Sequence, residues 1–239
     1  MNSSTAERLL AINREFYNQF GNEFSATRQR LQPGVKKILE TIQEDDSVLD
    51  LGCGNGYFLH TLSKRGHRAP LLGVDFSLSL LRDAESSGGV EFREIDLTKL
   101  SENREQLLVE SGKWDVITCF ATLHHIPSNE FRLDILQTVK YLLQTNGKFI
   151  LSNWQFLNSE KLKLRIQHWE KVGLSNQEVD ENDYLLDWRS GGEGLRYAHH
   201  FSSEELHTLA NQVGMRVEAE FVSDGENGKL GLYQIWRHG

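Results

Sequence analysis

Apolar runs and helical patterns alternate through the middle of the chain, from residue 47 to residue 152. Five runs are short and largely apolar, as in strands of a parallel sheet, and they lie at 48–51, 71–75, 90–95, 116–120 and 149–152. Between them, apolar residues recur at helical spacing in segments at 57–65, 77–86, 101–111 and from 127 to a stop at Asn146-Gly147. This alternation predicts an α/β protein with a doubly wound, mostly parallel sheet.

The amino-terminal segment has a helical pattern and no strand pattern. Apolar residues recur at helical spacing over 5–20, which predicts an amphipathic helix that ends near Gly21. A second helix is predicted over 35–42, directly before the first strand. We therefore interpret residues 1–44 as a helical arm in front of a core at 45–153.

The segment after the core changes character. Residues 154–200 contain three of the five tryptophans and an acidic stretch at 178–187 that has no strand pattern. We interpret this segment as a cap inserted at the carboxyl edge of the sheet. Residues 201–239 predict one helix and then two strands, at 215–222 and 230–236, which pair as an antiparallel hairpin because a glycine-rich turn joins them. The whole chain is thus predicted to form a single domain on a seven-stranded, Rossmann-like sheet whose last strand is antiparallel.

Composition narrows the class of protein. The chain has 239 residues, of which 38% are hydrophobic and 25% are charged, as in a soluble globular protein. Its formal net charge of −8 argues against a broadly basic surface that coats nucleic acid. No apolar run approaches the ~20 residues that span a membrane, and we find no signal-peptide pattern, so we expect a soluble, cytoplasmic protein without a membrane segment. The two cysteines, Cys53 and Cys119, have neither disulfide-framework nor zinc spacing.

Three alternating glycines, Gly52, Gly54 and Gly56, follow the first strand and precede a helix. Glycine at such a turn removes the Cβ atoms that would keep a ligand away from the backbone, and the helix amino terminus favours an anionic group. The dinucleotide fingerprint G-x-G-x-x-G needs its third glycine where Tyr57 stands. The turn therefore predicts a nucleotide-like cofactor and disfavours NAD, while a purely structural turn stays open as an alternative.

Three carboxylates stand at the ends of successive predicted strands. Asp50 closes the first strand, Asp75 closes the second and Asp96 follows the third. Ligands of doubly wound sheets bind beyond the carboxyl ends of the strands, and Asp75 lies where an acid commonly receives ribose hydroxyls. Each aspartate alone is more typical of a turn or a helix cap, but the three together beside the glycine turn indicate a cofactor pocket.

The combination resembles the class I S-adenosylmethionine-dependent methyltransferases. Residues 48–56 resemble the first motif of this family, residues 73–77 the second, residues 114–125 the fourth and residues 146–148 the sixth. The resemblance implies that the glycine turn lies against the methionine part of S-adenosylmethionine, with Asp50 near its amino group.

The resemblance also assigns cofactor contacts to the other strand ends. It implies that Asp75 holds the ribose hydroxyls and that Asp96 and the Leu97 amide contact the adenine edge. The implied cofactor residues are Asp50, Gly52, Cys53, Gly54, Gly56, Asp75, Phe76, Ser77, Asp96, Leu97 and Phe120. An acidic pocket suits a cofactor with a sulfonium and an ammonium group better than one with a pyrophosphate.

Two segments outside these motifs resemble a narrower family, the methyltransferases that esterify the carboxymethyl group on the wobble uridine of tRNA. They are residues 23–28, Glu-Phe-Ser-Ala-Thr-Arg, and residues 195–201, Leu-Arg-Tyr-Ala-His-His-Phe. The resemblance implies a tRNA acceptor, and some members of that family need a small partner subunit. A small carboxylate or amine metabolite stays open as the alternative acceptor.

The candidate acceptor residues are cations and hydrogen-bond donors. A carboxylate has a reference pKa of ~4 and is ionised at neutral pH, so its methyl esterification needs orientation rather than a strong general base. Arg28 and Arg196 occupy family-like positions, and arginine binds carboxylates bidentately. Tyr197 and His125 add donors in this prediction. A helix cap or an ion pair stays open as the alternative role of Arg28, and a core position as that of Tyr197.

Two further features have structural as well as functional explanations. The pair His199-His200 resembles a metal site, but two histidines without carboxylates at matching spacing are more typical of a surface, so we predict no metal. Trp154, Trp169 and Trp188 are able to stack a nucleobase, although packing of the cap is the more common role. A cofactor-binding module without catalysis is the alternative to an enzyme, and the complete set of pocket residues argues against it.

Overall fold

The computed structural model describes the chain apart from residues 28–29, 86–88, 110–111 and 190–191 and the side chains of residues 22, 24, 27 and 85. The strands are β1 (Val48–Leu51), β2 (Leu71–Asp75), β3 (Glu91–Glu94), β4 (Trp114–Phe120), β5 (Leu143–Trp154), β6 (Ile166–Gln167), β7 (Asp183–Trp188), β8 (Gly194–His199), β9 (Met215–Ser223) and β10 (Gly231–His238). Seven of them form the central sheet, in the order β3-β2-β1-β4-β5-β10-β9.

The directions of the strands match the predicted fold class. Strands β1 to β5 run parallel to one another, whereas β10 runs antiparallel to both of its neighbours, β5 and β9. The doubly wound, seven-stranded sheet and its closing antiparallel hairpin are therefore confirmed. The strand order reverses at β1, which lies between β2 and β4, and such a switch point opens a crevice at the carboxyl ends of the strands.

Helices cover both faces of this sheet. The described residues form α1 (Ser3–Thr27), α2 (Pro33–Leu39), α3 (Tyr57–Lys64), α4 (Leu78–Glu85), α5 (Leu100–Asn103), α6 (Asn129–Leu142), α7 (Glu160–Lys163) and α8 (Ser203–Gln212). Successive side chains of β1 pack into different layers, because Leu49 joins an apolar cluster with α6 and α8 while Val48 joins another with α2 and α3. None of the helices in the described segments is long and apolar enough to cross a membrane.

Helix α1 is longer than predicted, because it does not end near Gly21 and continues to Thr27. A glycine inside a helix costs about 1 kcal/mol relative to alanine, which made a stop the natural expectation. Here the missing side chain lets α1 approach α4, since a Cβ atom on Gly21 would overlap the hydroxyl of Ser79. Close packing of two helices therefore outweighs the local preference.

Two predicted element boundaries in the core are wrong. In the segment predicted as a helix at 101–111, the described residues, 101–109, form the end of α5 and a 3-10 turn, Arg104–Leu107. Helix α6 ends at Leu142, and Asn146-Gly147, predicted as its stop, lies inside β5 where the pairing with β4 shifts register. A Cβ atom on Gly147 would lie 3.0 Å from the carbonyl oxygen of Asp115, so the glycine permits a close approach between strands.

The cap contains a sheet of its own. Strands β6, β7 and β8 are antiparallel and lie in that order, so the prediction of no strand within the acidic stretch is wrong for β7. Asp183 opens β7 and is only 7% exposed, because its carboxylate binds buried partners described below. Helix α1 packs along β8 and brings the amino-terminal arm to the cap.

Candidate active site

A cavity of about 550 Å³ opens beyond the carboxyl ends of β1, β2, β4 and β5. Its walls come from the strand ends, from α1, from the cap and from the turn between β9 and β10. The cavity therefore lies at the switch point of the sheet, where doubly wound folds bind ligands. One half of it is acidic and contains the glycine turn with Asp50, Asp75 and Asp96, and we call it the donor half. The other half is cationic and aromatic and contains Arg196, Trp154 and His125, and we call it the acceptor half.

The glycine turn forms the floor of the donor half. The amides of Gly52 and Cys53 both donate to the carbonyl of Val74, at 2.8 and 3.0 Å, and tie the turn to β2. Gly54 has a φ of +56°, and a Cβ atom placed on it would meet no atom within 4 Å, so it would project into open space. Gly56 caps α3 instead of lining the cavity, and a Cβ atom there would lie 2.5 Å from the ring of Phe92.

Asp75 is held by backbone amides on both sides. Its Oδ2 accepts from the Gly54 amide and its Oδ1 from the Ser77 amide, each at 2.9 Å. Burial raises the pKa of the Asp75 carboxyl, and these amides partly offset that rise. The Ser77 side chain lies outside the cavity and bonds the hydroxyl of Ser79 at 3.0 Å, so Ser77 acts by orienting Asp75.

Asp50 is the more strongly perturbed carboxylate. Burial at the end of β1 raises its pKa to about 7, a hydrogen bond from Thr118 lowers it, and the negative charge of Asp75 raises it further. The Thr118 hydroxyl donates to Asp50 Oδ1 at 2.7 Å. Two buried carboxylates at the floor of one cavity favour a ligand that brings positive charge.

Asp96 lies at the third strand end and is fully partnered. Burial acts to raise its pKa, but hydrogen bonds from Thr98 and the charge of Arg14 together lower it. Its Oδ1 accepts from the Thr98 amide at 3.0 Å and the Thr98 hydroxyl at 2.8 Å, while Oδ2 pairs with Arg14 of α1. The remaining predicted cofactor residues that line the cavity are Cys53, Phe76, Leu97 and Phe120.

The acceptor half contains a buried cation. Arg196 of β8 is 6% exposed and lines the cavity. Its guanidinium carbon lies 4.6 Å from the ring centroid of Trp154, 5.5 Å from that of Trp188 and 5.6 Å from that of Phe16. Aromatic faces stabilise a cation, so these three rings favour a charged guanidinium in the cavity wall.

His125 follows β4 in a 3-10 turn and also lines the cavity. Its Nδ1 lies 3.0 Å from the carbonyl oxygen of Tyr197, and its Nε2 lies 3.1 Å from the hydroxyl of Tyr17. A carbonyl only accepts, so Nδ1 carries the proton, and in the neutral ring Nε2 then accepts from Tyr17. One tautomer of the imidazole is thereby selected.

Tyr197 does not contact the cavity, so its predicted place among the acceptor residues is wrong and the core alternative holds. Its side chain is fully buried, and its hydroxyl donates to Asp183 at 2.7 Å and accepts from Arg132 at 2.9 Å. Burial raises the pKa of the Tyr197 phenol well above its usual value. His199 joins the same network, with one ring nitrogen 2.8 Å from Asp183 and the other 2.8 Å from Glu205.

The tryptophans predicted to stack a nucleobase lie in different environments. Trp169 and Trp188 are buried in apolar clusters, whereas Trp154 lines the cavity. Arg28, predicted to bind the acceptor, lies outside the described residues. Among the side chains that the structure does describe, no group of three or more histidines, cysteines and acids could hold a metal ion.

Comparison with known proteins agrees with this geometry. The model of a methyltransferase domain family matches residues 24–220. The chain belongs to the methyltransferase domain family. This membership confirms the enzyme class and the S-adenosylmethionine cofactor predicted from the sequence. The donor half fits that cofactor, because its buried carboxylates match a sulfonium and an ammonium group and Gly54 leaves room above the turn.

Relatives of this methyltransferase are distant. A methyltransferase of Encephalitozoon cuniculi is 30% identical over 204 residues, which cover 84% of this chain and 86% of that protein. The tRNA (carboxymethyluridine(34)-5-O)-methyltransferase ALKBH8 of Mus musculus is 27% identical over 181 residues, which cover 72% of this chain and 25% of that protein. A SAM-dependent methyltransferase of Methanosarcina mazei has the same fold, with a TM-score of 0.66, 23% identity and coverage of 87% of this chain and 98% of that one.

Sequence reasoning missed several residues that build the site of this methyltransferase. Thr118 gave a signal, since it is a polar side chain between the apolar Ile117 and Cys119, and the structure pairs it in register with Asp50. No comparable signal marks Asn13, Arg14 and Tyr17. Their helical spacing indicates a face of α1 but not what that face contacts.

Proposed function

We propose that this methyltransferase transfers the methyl group of S-adenosylmethionine to an anionic, carboxylate-type acceptor, and that its preferred acceptor is carboxymethyluridine at the tRNA wobble position. The observation that carries the proposal is Arg196, a buried cation in the wall of the acceptor half. Asp50 and Asp75 make the donor half acidic, so an anion in the cavity is attracted to Arg196 and repelled from these carboxylates.

Arg196 presents a guanidinium to an anionic ligand at the cavity wall. The three aromatic rings around it stabilise its positive charge by about 2 kcal/mol each or less. A carboxylate in the acceptor half would receive a charge-assisted, bidentate hydrogen bond from this group. The same contact orients one carboxylate oxygen toward the donor half, and orientation is the main requirement of this reaction.

The chain's own residues have separate tasks in this proposal. Bound S-adenosylmethionine supplies an activated methyl group on a sulfonium. Asp50 and Asp75 hold the cationic and hydroxyl groups of the cofactor, Arg196 positions the acceptor, and His125 offers a polar edge between them. No residue needs to remove a proton, because a carboxylate acceptor is already ionised at neutral pH.

The choice of a tRNA wobble nucleoside has its own support. The likeness to ALKBH8 covers most of this chain, although the chain spans only a quarter of that protein. The two segments that resemble the wobble uridine methyltransferases lie at residues 23–28 and 195–201, and the second supplies Arg196 on the cavity wall. Trp154 on the same wall presents an aromatic surface beside it.

The test uses a synthetic anticodon stem–loop that carries 5-carboxymethyluridine at the wobble position, with methyl ester detected by mass spectrometry. We expect the wild-type protein to form the ester. Arg196→Met, which keeps an apolar stem among the aromatic rings, should lower kcat/KM about 30-fold or more, since loss of a buried charged partner costs roughly 2–5 kcal/mol. S-adenosylhomocysteine should bind this variant normally.

Arg189→Met is the matched control, because Arg189 follows β7 in the same cap but pairs with Asp187 and does not line the cavity. Its activity should match the wild type. An Arg196→Met variant with full activity would remove the acceptor proposal and leave the methyltransferase assignment standing.

A second candidate is methyl transfer to a hydroxyl or amine of a small metabolite. The contact that favours it is the hydrogen bond between Tyr17 and His125, at 3.1 Å, on the cavity wall. A hydroxyl or protonated amine must lose a proton during the reaction. The Tyr17 hydroxyl is able to take that proton while passing its own to His125 Nε2, which already accepts its hydrogen bond.

A further inference from the structure

We infer that Asn13 of α1 is the positioning residue of the acceptor half: its side-chain amide holds the turn of His125 and the strand of Arg196 in one geometry. The inference rests on the proposed function for its catalytic consequence. The structural part, a hydrogen-bonded link between three distant segments, stands on contacts alone.

Three hydrogen bonds meet at this one amide. Asn13 Oδ1 accepts from the Tyr197 amide at 2.8 Å, and Nδ2 donates to the Tyr197 carbonyl at 3.2 Å and to the His125 carbonyl at 3.1 Å. The side chain is 4% exposed, so these bonds are made out of contact with solvent. Buried polar groups left without partners cost about 1–3 kcal/mol each, so every member of the link is constrained.

The position of β8 explains why an amide is needed there. Strand β8 is at the edge of the cap sheet, paired with β7 on one side. An edge strand presents its backbone N–H and C=O groups outward, and in a larger sheet another strand would bind them. The side-chain amide of Asn13 presents its oxygen to the Tyr197 N–H and one of its N–H groups to the Tyr197 C=O, and so replaces that strand at Tyr197.

Both acceptor residues are adjacent to the groups that Asn13 binds. Arg196 precedes Tyr197 on β8, so a fixed Tyr197 backbone also fixes the backbone from which the Arg196 side chain extends. The Tyr197 carbonyl that Asn13 binds also receives the Nδ1 proton of His125. Asn13 therefore affects the position of Arg196 and the tautomer of His125 through the backbone of one residue, Tyr197.

A second link from the opposite side supports this assignment. Arg132 of α6 donates to the carbonyl of Ile126 at 2.9 Å and to the hydroxyl of Tyr197 at 2.9 Å. Tyr197 is thus held at its backbone by α1 and at its side chain by α6. The Arg132 contact maintains the fold of the cap, whereas the Asn13 contact acts at the peptide that touches His125.

The experiment compares Asn13→Ala with Asn18→Ala, an exposed asparagine on the same helix. Nitrogen-15 NMR of histidine-labelled protein reports the tautomer of His125 without any acceptor. We expect a single Nδ1-protonated form in the wild type and in Asn18→Ala, and exchange between tautomers in Asn13→Ala. With the carboxymethyluridine stem–loop, Asn13→Ala should lower kcat/KM about 10- to 100-fold, as misplacement of reacting groups does, while affinity for S-adenosylhomocysteine changes less than about twofold.

A second variant, Asn13→Asp, keeps the acceptor for the Tyr197 amide and loses the donated bonds, so it tests the same link if Asn13→Ala does not fold. The inference is wrong if a folded Asn13 variant keeps a single Nδ1-protonated form of His125 and an unchanged kcat/KM. If the wild-type protein does not methylate the stem–loop, the proposed acceptor fails, and the tautomer of His125 alone then decides the role of Asn13.

Discussion

The two halves of the cavity are built by different means. In the donor half, Asp75 is held by amides only 21 and 2 residues away, and the glycine turn is bonded to the neighbouring strand. In the acceptor half, Asn13 bonds to groups that are 112 and 184 residues away. The site of Asp75 and the glycine turn is therefore a local property of strand ends, and the acceptor half is a tertiary property that exists only when α1, the core and the cap are assembled.

This difference separates binding of the cofactor from use of the acceptor. Changes at Asn13 or Arg196 should alter the rate of transfer while donor affinity stays constant, since no bond from Asp75 or the glycine turn depends on either residue. Changes at the strand ends should have the opposite effect. The following measurements test that separation.

The largest effect is expected for Gly54→Ala, compared with Gly66→Ala. Both glycines have positive φ, +56° and +87°, and a Cβ atom on either meets no atom within 4 Å, so both variants carry similar backbone strain. Only Gly54 lines the cavity, where the added methyl occupies cofactor space. Calorimetry with S-adenosylhomocysteine should show about 30-fold weaker binding for Gly54→Ala, from overpacking of roughly 2 kcal/mol, and wild-type affinity for Gly66→Ala.

Equal loss of affinity in the two glycine variants would mean that backbone strain, and not occupation of the cavity, explains the effect. The donor half would then depend on the overall stability of the turn, and its separation from the acceptor half would be weaker than the contacts indicate.

An intermediate effect is expected from pH. The pKa of Asp50 is raised to about 7 in the free protein, so below pH 7 the carboxyl is mostly neutral and cannot attract an ammonium group. Affinity for S-adenosylhomocysteine should therefore rise with pH by up to about tenfold per unit below pH 7 and then level off. Asp50→Asn should flatten this profile, and Asp45→Asn, which changes an exposed carboxylate, should leave it intact.

The same shift has a consequence for stability of the free protein. Because the folded pKa of Asp50 lies above its unfolded value of 3.8, the folded state binds more protons between about pH 4 and pH 7. The contribution of this group to the free energy of unfolding therefore falls as pH rises through that window. Chemical denaturation of wild type and Asp50→Asn at pH 5 and pH 8 measures the difference, and equal pH dependence in both would contradict it.

The smallest effect is expected for Tyr17→Phe. With a carboxylate acceptor, the hydroxyl of Tyr17 only orients His125, and kcat should fall less than about threefold, as for loss of one neutral hydrogen bond. With a hydroxyl or amine acceptor, the Tyr17–His125 pair assists proton removal, and kcat should fall about 100-fold with an altered pH–rate profile. The size of the fall in kcat thus distinguishes a carboxylate acceptor from a hydroxyl or amine acceptor.

The contrast between the halves also explains what the sequence could predict. Asp50, Asp75 and Asp96 follow strand patterns directly, and the fold places strand ends together, so their convergence could be foreseen from local patterns. Arg196 was assigned from a family-like segment, and its aromatic cage adds contacts with side chains from α1, β5 and β7 that no local pattern encodes.

The failures have a common physical cause. The sequence pattern predicts an acidic loop around Asp183, but tertiary contacts with Tyr197 and His199 make it a buried strand residue. Tyr197 has the residue type of an acceptor contact, yet its hydroxyl is directed into that same network. Gly21 predicts a helix end from the local sequence, but its close packing against α4 keeps the residue inside α1. In each case a partner distant in sequence overrides the local preference.

The contact between α1 and β8 has a consequence for synthesis of the protein. Asn13 and Tyr197 are 184 residues apart, and a ribosome that adds about 5–20 residues per second needs roughly 10 to 40 s to make the second after the first. During that time Leu9, Phe16 and Phe20, which pack on the cap and on α4 in the folded protein, cannot reach their partners in the cap. The amino-terminal helix therefore has an apolar face without its cap partners until the cap has been synthesised.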